Sequence, residues 1–149
     1  MTLWRVSTYP TLGGEGGVFA PGRWHHKGLR ISYCAPNPAT ALLEVFVHLE
    51  WDEEDVPDNL QYLEIDVPDD IPIEQVQDLP PDWAVRQDLT QDIGDTWLRS
   101  LRSPLLQVPS VIVPKTWNLL LNPEHPDAQR VRIAEIIKHP LDARLRRDH

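Results

Sequence analysis

The chain of 149 residues is short of several things: one cysteine, Cys34, one methionine, and 14 lysines and arginines against 23 aspartates and glutamates. A single cysteine excludes an internal disulfide, and nothing in the surrounding sequence activates the thiol. No apolar run is long enough to span a bilayer and no secretory leader is recognisable, so the expected compartment is the cytoplasm. The formal net charge of −9 argues against direct nucleic acid binding, which needs a basic surface. It leaves room for a small anionic ligand wherever a few cations converge. There is no internal repeat, and no Gly-x-Ser-x-Gly elbow surrounds Ser110. The glycines of Gly13–Gly17 open neither a P-loop nor a dinucleotide fingerprint, because no GK[ST] or G-x-G-x-x-G follows.

Apolar residues are present in ordinary measure, at 41%, so the chain is not disordered by composition, and its length suits one domain over residues 1–149. Proline is abundant, with 15 scattered along the chain. That predicts many short elements closed by turns. Leu3–Ser7 alternates apolar and polar residues and reads as a strand, with Arg5 facing away from Trp4 and Val6. Pro10–Pro21 reads as a glycine loop. Leu29, Ile31 and Tyr33 share one face of a second strand, and Arg30, Ser32 and Cys34 take the other. Asn37 and Pro38 read as N-cap and first turn of a helix over Ala39–Leu49. Its stripe is Leu42, Val45, Phe46 and Leu49, widened nearly all round by Leu43 and Val47.

Further on, Asp52–Asp58 reads as an acidic loop, Leu60–Val67 as a strand and Pro68–Pro81 as irregular. A helical segment begins near Asp82, with a short helix over Gly94–Arg102 presenting Trp97, Leu98 and Leu101. Leu105–Pro114 reads as a strand that Pro109 makes bulged or peripheral. Asn118–Pro126 reads as a turn-rich loop, and Val131–Ile137 as a last strand before a basic tail with Arg144, Arg146 and Arg147. Short strands with few helices predict an α+β fold.

The chemistry-bearing residues gather in Gly22–Leu49. Glu44 is either a solvated glutamate paired with His48 one turn on, or a carboxylate in an apolar helix that something uses. Two ligands at i,i+4 without a third make no metal site, and the adjacent His25 and His26 point in different directions; no metal is expected. Arg23, beside Gly22, is either a phosphate clamp or a surface arginine packed on Trp24. Arg5 is either solvated or reaches into a cleft. Tyr33 is either a stacking ring or a core tyrosine. Ser110 needs a partner if buried, and Asn118 and Asn122 suit turn caps. Composition and spacing thus stop at a nucleotide site near Arg23, Tyr33 and Glu44.

Nine segments in order carry a further resemblance. They are Leu-Trp-Arg-Val at 3–6, Gly-Arg-Trp with Lys27-Gly28 at 22–28, Tyr33, and Ala-Leu-Leu-Glu-Val-Phe-Val-His at 41–48. Next come Gly-Asp-x-Trp-Leu at 94–98, Val-Pro-Ser-Val-Ile-Val-Pro at 108–114 and Asn118. Asn-Pro-x-His-Pro at 122–126 and Leu-Asp-x-Arg-Leu at 141–145 complete the set. The pattern resembles the RES domain family, toxins of bacterial toxin–antitoxin modules. It departs from that pattern at His25-His26, at Gly16-Gly17-Val18 and at Lys115.

The resemblance implies a mixed β-sheet core similar to ADP-ribosyltransferases, NAD as substrate with no resident cofactor, and an Xre-type helix-turn-helix antitoxin as partner. It also implies pairing of two toxin copies in that complex. By resemblance Arg5 and Arg23 contact the dinucleotide phosphates, with Lys27 beside them. Tyr33 stacks near the nicotinamide, Glu44 bonds the nicotinamide ribose and stabilises the developing positive charge, and Ser110 and Asn118 complete the pocket. NAD hydrolysis or phosphorolysis, ADP-ribose transfer to a protein, and an inactive partner of the antitoxin in a repressor complex are the activities that follow.

Overall fold

Two strand layers meet along one seam. The computed structural model describes residues 1–48 and 59–145. The expected acidic loop at 52–58, the Glu44–His48 pairing, and Arg146 and Arg147 lie outside the described residues and side chains.

In the first sheet β1 (Thr2–Ser7), β3 (Gln61–Asp66) and β7 (Arg132–Lys138) run in the order β1-β3-β7, all antiparallel. β3 sits in the middle, and its Leu63 and Ile65 are fully buried while Tyr62 and Glu64 on the other face are half-exposed. That is the period of two expected of a strand with one core face. The second sheet has the order β2-β6-β5-β4, built from Ser32–Cys34, Trp117–Leu121, Leu105–Pro109 and Ile73–Gln75. β4 lies parallel to β5, and the other pairs are antiparallel. The seam is a bridge between the edge strands: Trp4 and Ala35 exchange both backbone hydrogen bonds, each at 2.8 Å.

Several expectations change. The expected turn-rich loop begins as strand β6, which runs to Leu121 between β2 and β5, and turns only after it, where His125 N donates to Asn122 O. Leu119, Leu120 and Leu121 are all buried in β6, because an interior strand covered on both faces reads as a continuous apolar run without alternation. The asparagines flanking the leucines suggested turns, yet Asn118 is part of the strand. The Pro68–Pro81 stretch contains β4. Pro109 makes β5 neither bulged nor peripheral: it is the last residue of the strand, paired with Trp117, beyond the reach of β4, which stops at Gln107. Its missing N–H therefore costs no ladder bond on that side. The second strand is shorter than its alternation suggested, beginning at Ser32.

Of the helices, α1 (Glu15–Phe19) lies inside the expected glycine loop. Gly14 and Gly17 let it approach the segment before β2, since a Cβ would stand 2.5 Å from Ile31 N at Gly14 and 2.4 Å from Leu29 O at Gly17. α2 (Pro38–His48) begins as expected, with Asn37 Oδ1 accepting from Thr40 N at 2.8 Å. Its apolar girdle is narrower than expected: Ala41 is buried against Val6, Ala35 and Leu60, while Leu43 and Val47 are exposed. α3 (Gln87–Ser100) is one helix of 14 residues rather than a short one from Gly94. It ends on Leu101, which is exposed and left-handed with φ 54°. Trp97 is fully buried, and its indole N–H donates to Ser103 Oγ at 2.9 Å.

Candidate active site

The Gly22–Lys27 loop crosses the N-terminal part of α3 and is tied to it at successive turns. Thr90 Oγ1 donates to Arg23 O at 2.6 Å and Gln91 Nε2 to Gly22 O at 3.0 Å. Asp95 accepts from His26 N at 2.9 Å and contacts His26 Nδ1 at 2.5 Å. Between these ties Trp24 is buried with Trp97, Leu98 and Leu106. The loop therefore has little freedom to move Arg23.

Arg23 points back toward the short 3₁₀ turn Trp83–Val85. Its Nη2 donates to Trp83 O at 3.3 Å and also to Ala84 O, and the guanidinium lies 6.0 Å from the Trp83 ring centre. Burial lowers its pKa, yet a guanidinium stays charged at any working pH. Its Nε is buried with no hydrogen-bond partner among the described residues, as is Nε of Arg5, whose Nη1 reaches Tyr33 O at 3.5 Å.

Glu44 projects from α2 toward the end of the second sheet. Its Oε1 accepts from Asn118 Nδ2 on β6 at 2.8 Å and from Ser110 Oγ just beyond β5 at 3.1 Å. Ser110 Oγ itself accepts from Ile112 N at 3.1 Å and Val113 N at 3.2 Å. With both incoming donors on the hydroxyl oxygen, its own proton goes to the carboxylate. Two neutral donors on one oxygen orient the carboxylate without themselves neutralising it. No donor to Oε2 is found among the described residues.

Tyr33 lies on β2 with its phenol oxygen 3.1 Å from Trp24 N and 2.7 Å from His25 Nδ1. Burial pushes its pKa well above the usual value of 10, so the phenol is neutral at physiological pH. Cys34, next in the strand, is fully buried, which pushes its thiol up to about 11. That fits the absence of an activating arrangement in the sequence.

Two adjoining cavities meet here. The smaller, about 270 Å³, is lined by Arg23, Trp24, Gln87 and Val108 among others; the larger, about 460 Å³, by Arg5, Gly17, His25 and Ala41 among others. Both are bordered by Gly22, Tyr33, Glu44 and Asn118. The three buried polar atoms left without a partner among the described residues are Arg5 Nε, Arg23 Nε and Asn118 Oδ1, each on a cavity-lining residue. A buried polar group without a partner costs free energy, and a ligand that pairs it recovers that cost.

Of the residues singled out in the sequence, Arg5, Arg23, Tyr33, Glu44 and Asn118 line these cavities, and Ser110 supports them through Glu44. Lys27 does not join them; it is exposed and lines neither cavity. Asn118 is not a turn cap but a donor to the carboxylate. Asn122 does cap a turn through Glu124 N, and also donates to Leu98 O. The sequence offers His25 only as half of a poor metal pair and gives no sign of the anchoring face of α3, because the ring acts through backbone carbonyls and the helix through partners more than 60 residues away. His26, Asp92 and Asp95 place ligand atoms within 4.8 Å of one another, but His26 and Asp95 are already occupied with each other.

A model of the RES domain matches residues 2–145. The "Toxin Res" of Pseudomonas putida is 44% identical over 145 residues, covering 97% of this chain and 99% of that one. The "Prs ADP-ribosylating toxin" of a Sphingobium species is 35% identical over 156 residues, covering 97% and 96%. A chain in the crystal structure of the M. tuberculosis MbcT–MbcA toxin–antitoxin complex superposes with a TM-score of 0.74, covering 97% of this chain and 86% of that one at 16% identity. That likeness is one of fold. No helix among the described residues is long and apolar enough to cross a membrane.

Proposed function

The chain belongs to the RES domain family, and on that footing we propose that it is the toxin of a toxin–antitoxin module that depletes NAD by cleaving the nicotinamide–ribose bond. The observation that carries this reading is a carboxylate at the junction of two cavities, with an arginine lining each. A dinucleotide has the same plan: two nucleoside ends joined by two phosphates. The cavities together fall within the roughly 300–1,000 Å³ of small-molecule sites.

Cleavage sends the bonding electron pair to the nicotinamide nitrogen, turning a cationic ring into a neutral leaving group. The sugar becomes oxocarbenium-like, and a carboxylate beside it stabilises that charge. Glu44 suits the task because Asn118 and Ser110 hold it by Oε1 without neutralising it. A leaving group that departs neutral needs no strong general acid, so one carboxylate suffices. Tyr33 offers a neutral ring for stacking, and Arg5 and Arg23 offer phosphate oxygens Nε–H groups that no described residue pairs. NAD enters as substrate, with no resident cofactor required.

The test is NAD concentration over time with purified protein, with and without inorganic phosphate. Loss in both conditions identifies a hydrolase, and loss only with phosphate identifies a phosphorylase. No loss in either overturns NAD depletion by the protein alone. A second reading, ADP-ribose transfer to a protein, is favoured by the Sphingobium relative's name; it requires label from NAD to appear on a protein target. As partner we propose an Xre-type antitoxin whose acidic or C-terminal segment meets Arg23 and Lys27, with two toxin copies in the complex and the cytoplasm as its site of action.

A further inference from the structure

The wall of the larger cavity contains an imidazole that the chemistry above does not use. His25 is 2% exposed. Its Nε2 lies 3.3 Å from Gly17 O and 3.1 Å from Ala20 O, at the end of α1. Carbonyl oxygens only accept, so in the neutral ring the hydrogen sits on Nε2 and Nδ1 carries the lone pair. Nδ1 is 2.7 Å from the Tyr33 phenol oxygen, and the phenol must be the donor. Trp24 N–H donates to that same oxygen at 3.1 Å. Gly22 completes the fit, since a Cβ there would stand 2.4 Å from the phenol oxygen. Backbone carbonyls thus set the tautomer, the tautomer sets the direction of the phenol proton, and the phenol is held at the junction of the two cavities.

We propose that His25 is a positioning residue for the reaction: fixed as the Nε2–H tautomer by Gly17 and Ala20, it accepts the Tyr33 phenol proton and keeps the ring where the nicotinamide end of the dinucleotide stacks. The catalytic part rests on the NAD reading above; the tautomer and its hydrogen bond do not. A merely structural His25 would only tie α1 to the loop, and two substitutions separate the roles. His25→Gln keeps a donor near the Nε2 position for the two carbonyls and removes the acceptor from the phenol. His25→Asn keeps an acceptor near the Nδ1 position and gives up the carbonyl contacts.

The experiment compares wild type, His25→Gln, His25→Asn, Tyr33→Phe and His25→Gln/Tyr33→Phe as full chains. It measures kcat and KM for NAD, and ¹⁵N shifts of the imidazole nitrogens. One lost neutral hydrogen bond corresponds to about tenfold in kcat/KM. That loss is expected for His25→Gln and Tyr33→Phe, no further loss in the double variant, and substantial recovery in His25→Asn. Wild-type kinetics in His25→Gln, or His25→Asn no better than His25→Gln, overturns the positioning role while leaving NAD cleavage intact. If the wild type consumes no NAD, the proposed function fails and the spectrum still decides the geometry. An Nε2–H tautomer whose Nδ1 shift responds to Tyr33→Phe sustains it, and an Nδ1–H tautomer overturns it.

Discussion

Gly94 lies so close under the loop that a Cβ on it would stand 1.6 Å from the carbonyl oxygen of Trp24. No side chain other than hydrogen fits between α3 and the residue that follows Arg23. Backbone cannot yield as a flexible side chain would, so Gly94→Ala must push the loop off the helix. Thr90 and Gln91 would then lose their carbonyl partners on Arg23 and Gly22. Gly94→Ala is expected to destabilise by about 2–4 kcal/mol despite the better helix propensity of alanine, and to weaken NAD cleavage. Thermal melting checks the first, since propensity alone predicts a gain of about 1 kcal/mol.

Glu44→Gln keeps an oxygen for Asn118 and Ser110 and removes the charge. Its melting temperature should stay near that of wild type, while kcat falls by about 100- to 1,000-fold. Glu44→Ala should abolish toxicity on expression while leaving the fold intact. A fully toxic Glu44→Ala protein would refute the site. Ser110→Ala and Asn118→Ala each remove one of two donors to Oε1, so each should cost less than loss of the carboxylate.

His25 titrates in a direction set by burial, which lowers its pKa below 6.5 against the opposing pull of the Gly17 and Ala20 carbonyls and of Asp95; His26 adds to the lowering. Among the described residues, the titratable side chain hydrogen-bonded to the ring is Tyr33, through its hydroxyl. The unfolded chain therefore takes up this proton first. The stability that neutral His25 contributes is complete above about pH 6.5 and is lost as pH falls through the depressed folded value. Urea unfolding at pH 7.5 and pH 5 should show a smaller drop for His25→Gln than for wild type. Equal drops would mean that His25 does not titrate in this window.

Arg23 is held by backbone carbonyls in a way that lysine cannot reproduce. With the guanidinium fork reduced to a point charge, Arg23→Lys should raise KM for NAD about tenfold and change kcat less. Arg23→Glu should weaken binding of the antitoxin if an acidic segment meets this cation. Unchanged antitoxin binding, measured by calorimetry, would remove that contact from the account.

The two layers of information separate clearly in particular residues. Apolar-polar alternation marked β1, and β3 shows its physical basis, with Leu63 and Ile65 buried on one face and Tyr62 and Glu64 half-exposed on the other. The Asn37-Pro38 entry marked α2, because capping is a local interaction. The same local logic failed at β6, where burial on both faces erased the alternation, and at β4, whose three residues are a strand only because β5 lies beside them.

The residue order alone shows which chemical groups are available: two arginines, a ring, a carboxylate, a serine and an asparagine, in an order that resembles one family from end to end. It could not decide how they meet. Glu44 and Asn118 are 74 residues apart, and Arg23 and Trp83 are 60 apart. Only the pairing of β2 with β6, and the packing of α3 under the Gly22–Lys27 loop, brings them within hydrogen-bonding distance. Tertiary structure also decided what Lys27 and His25 do. Solvent took the lysine out of the cavities, and two backbone carbonyls turned a histidine that spacing offers only as a poor metal ligand into the partner of Tyr33, because burial leaves a polar ring no stable place except against groups that complete its hydrogen bonds.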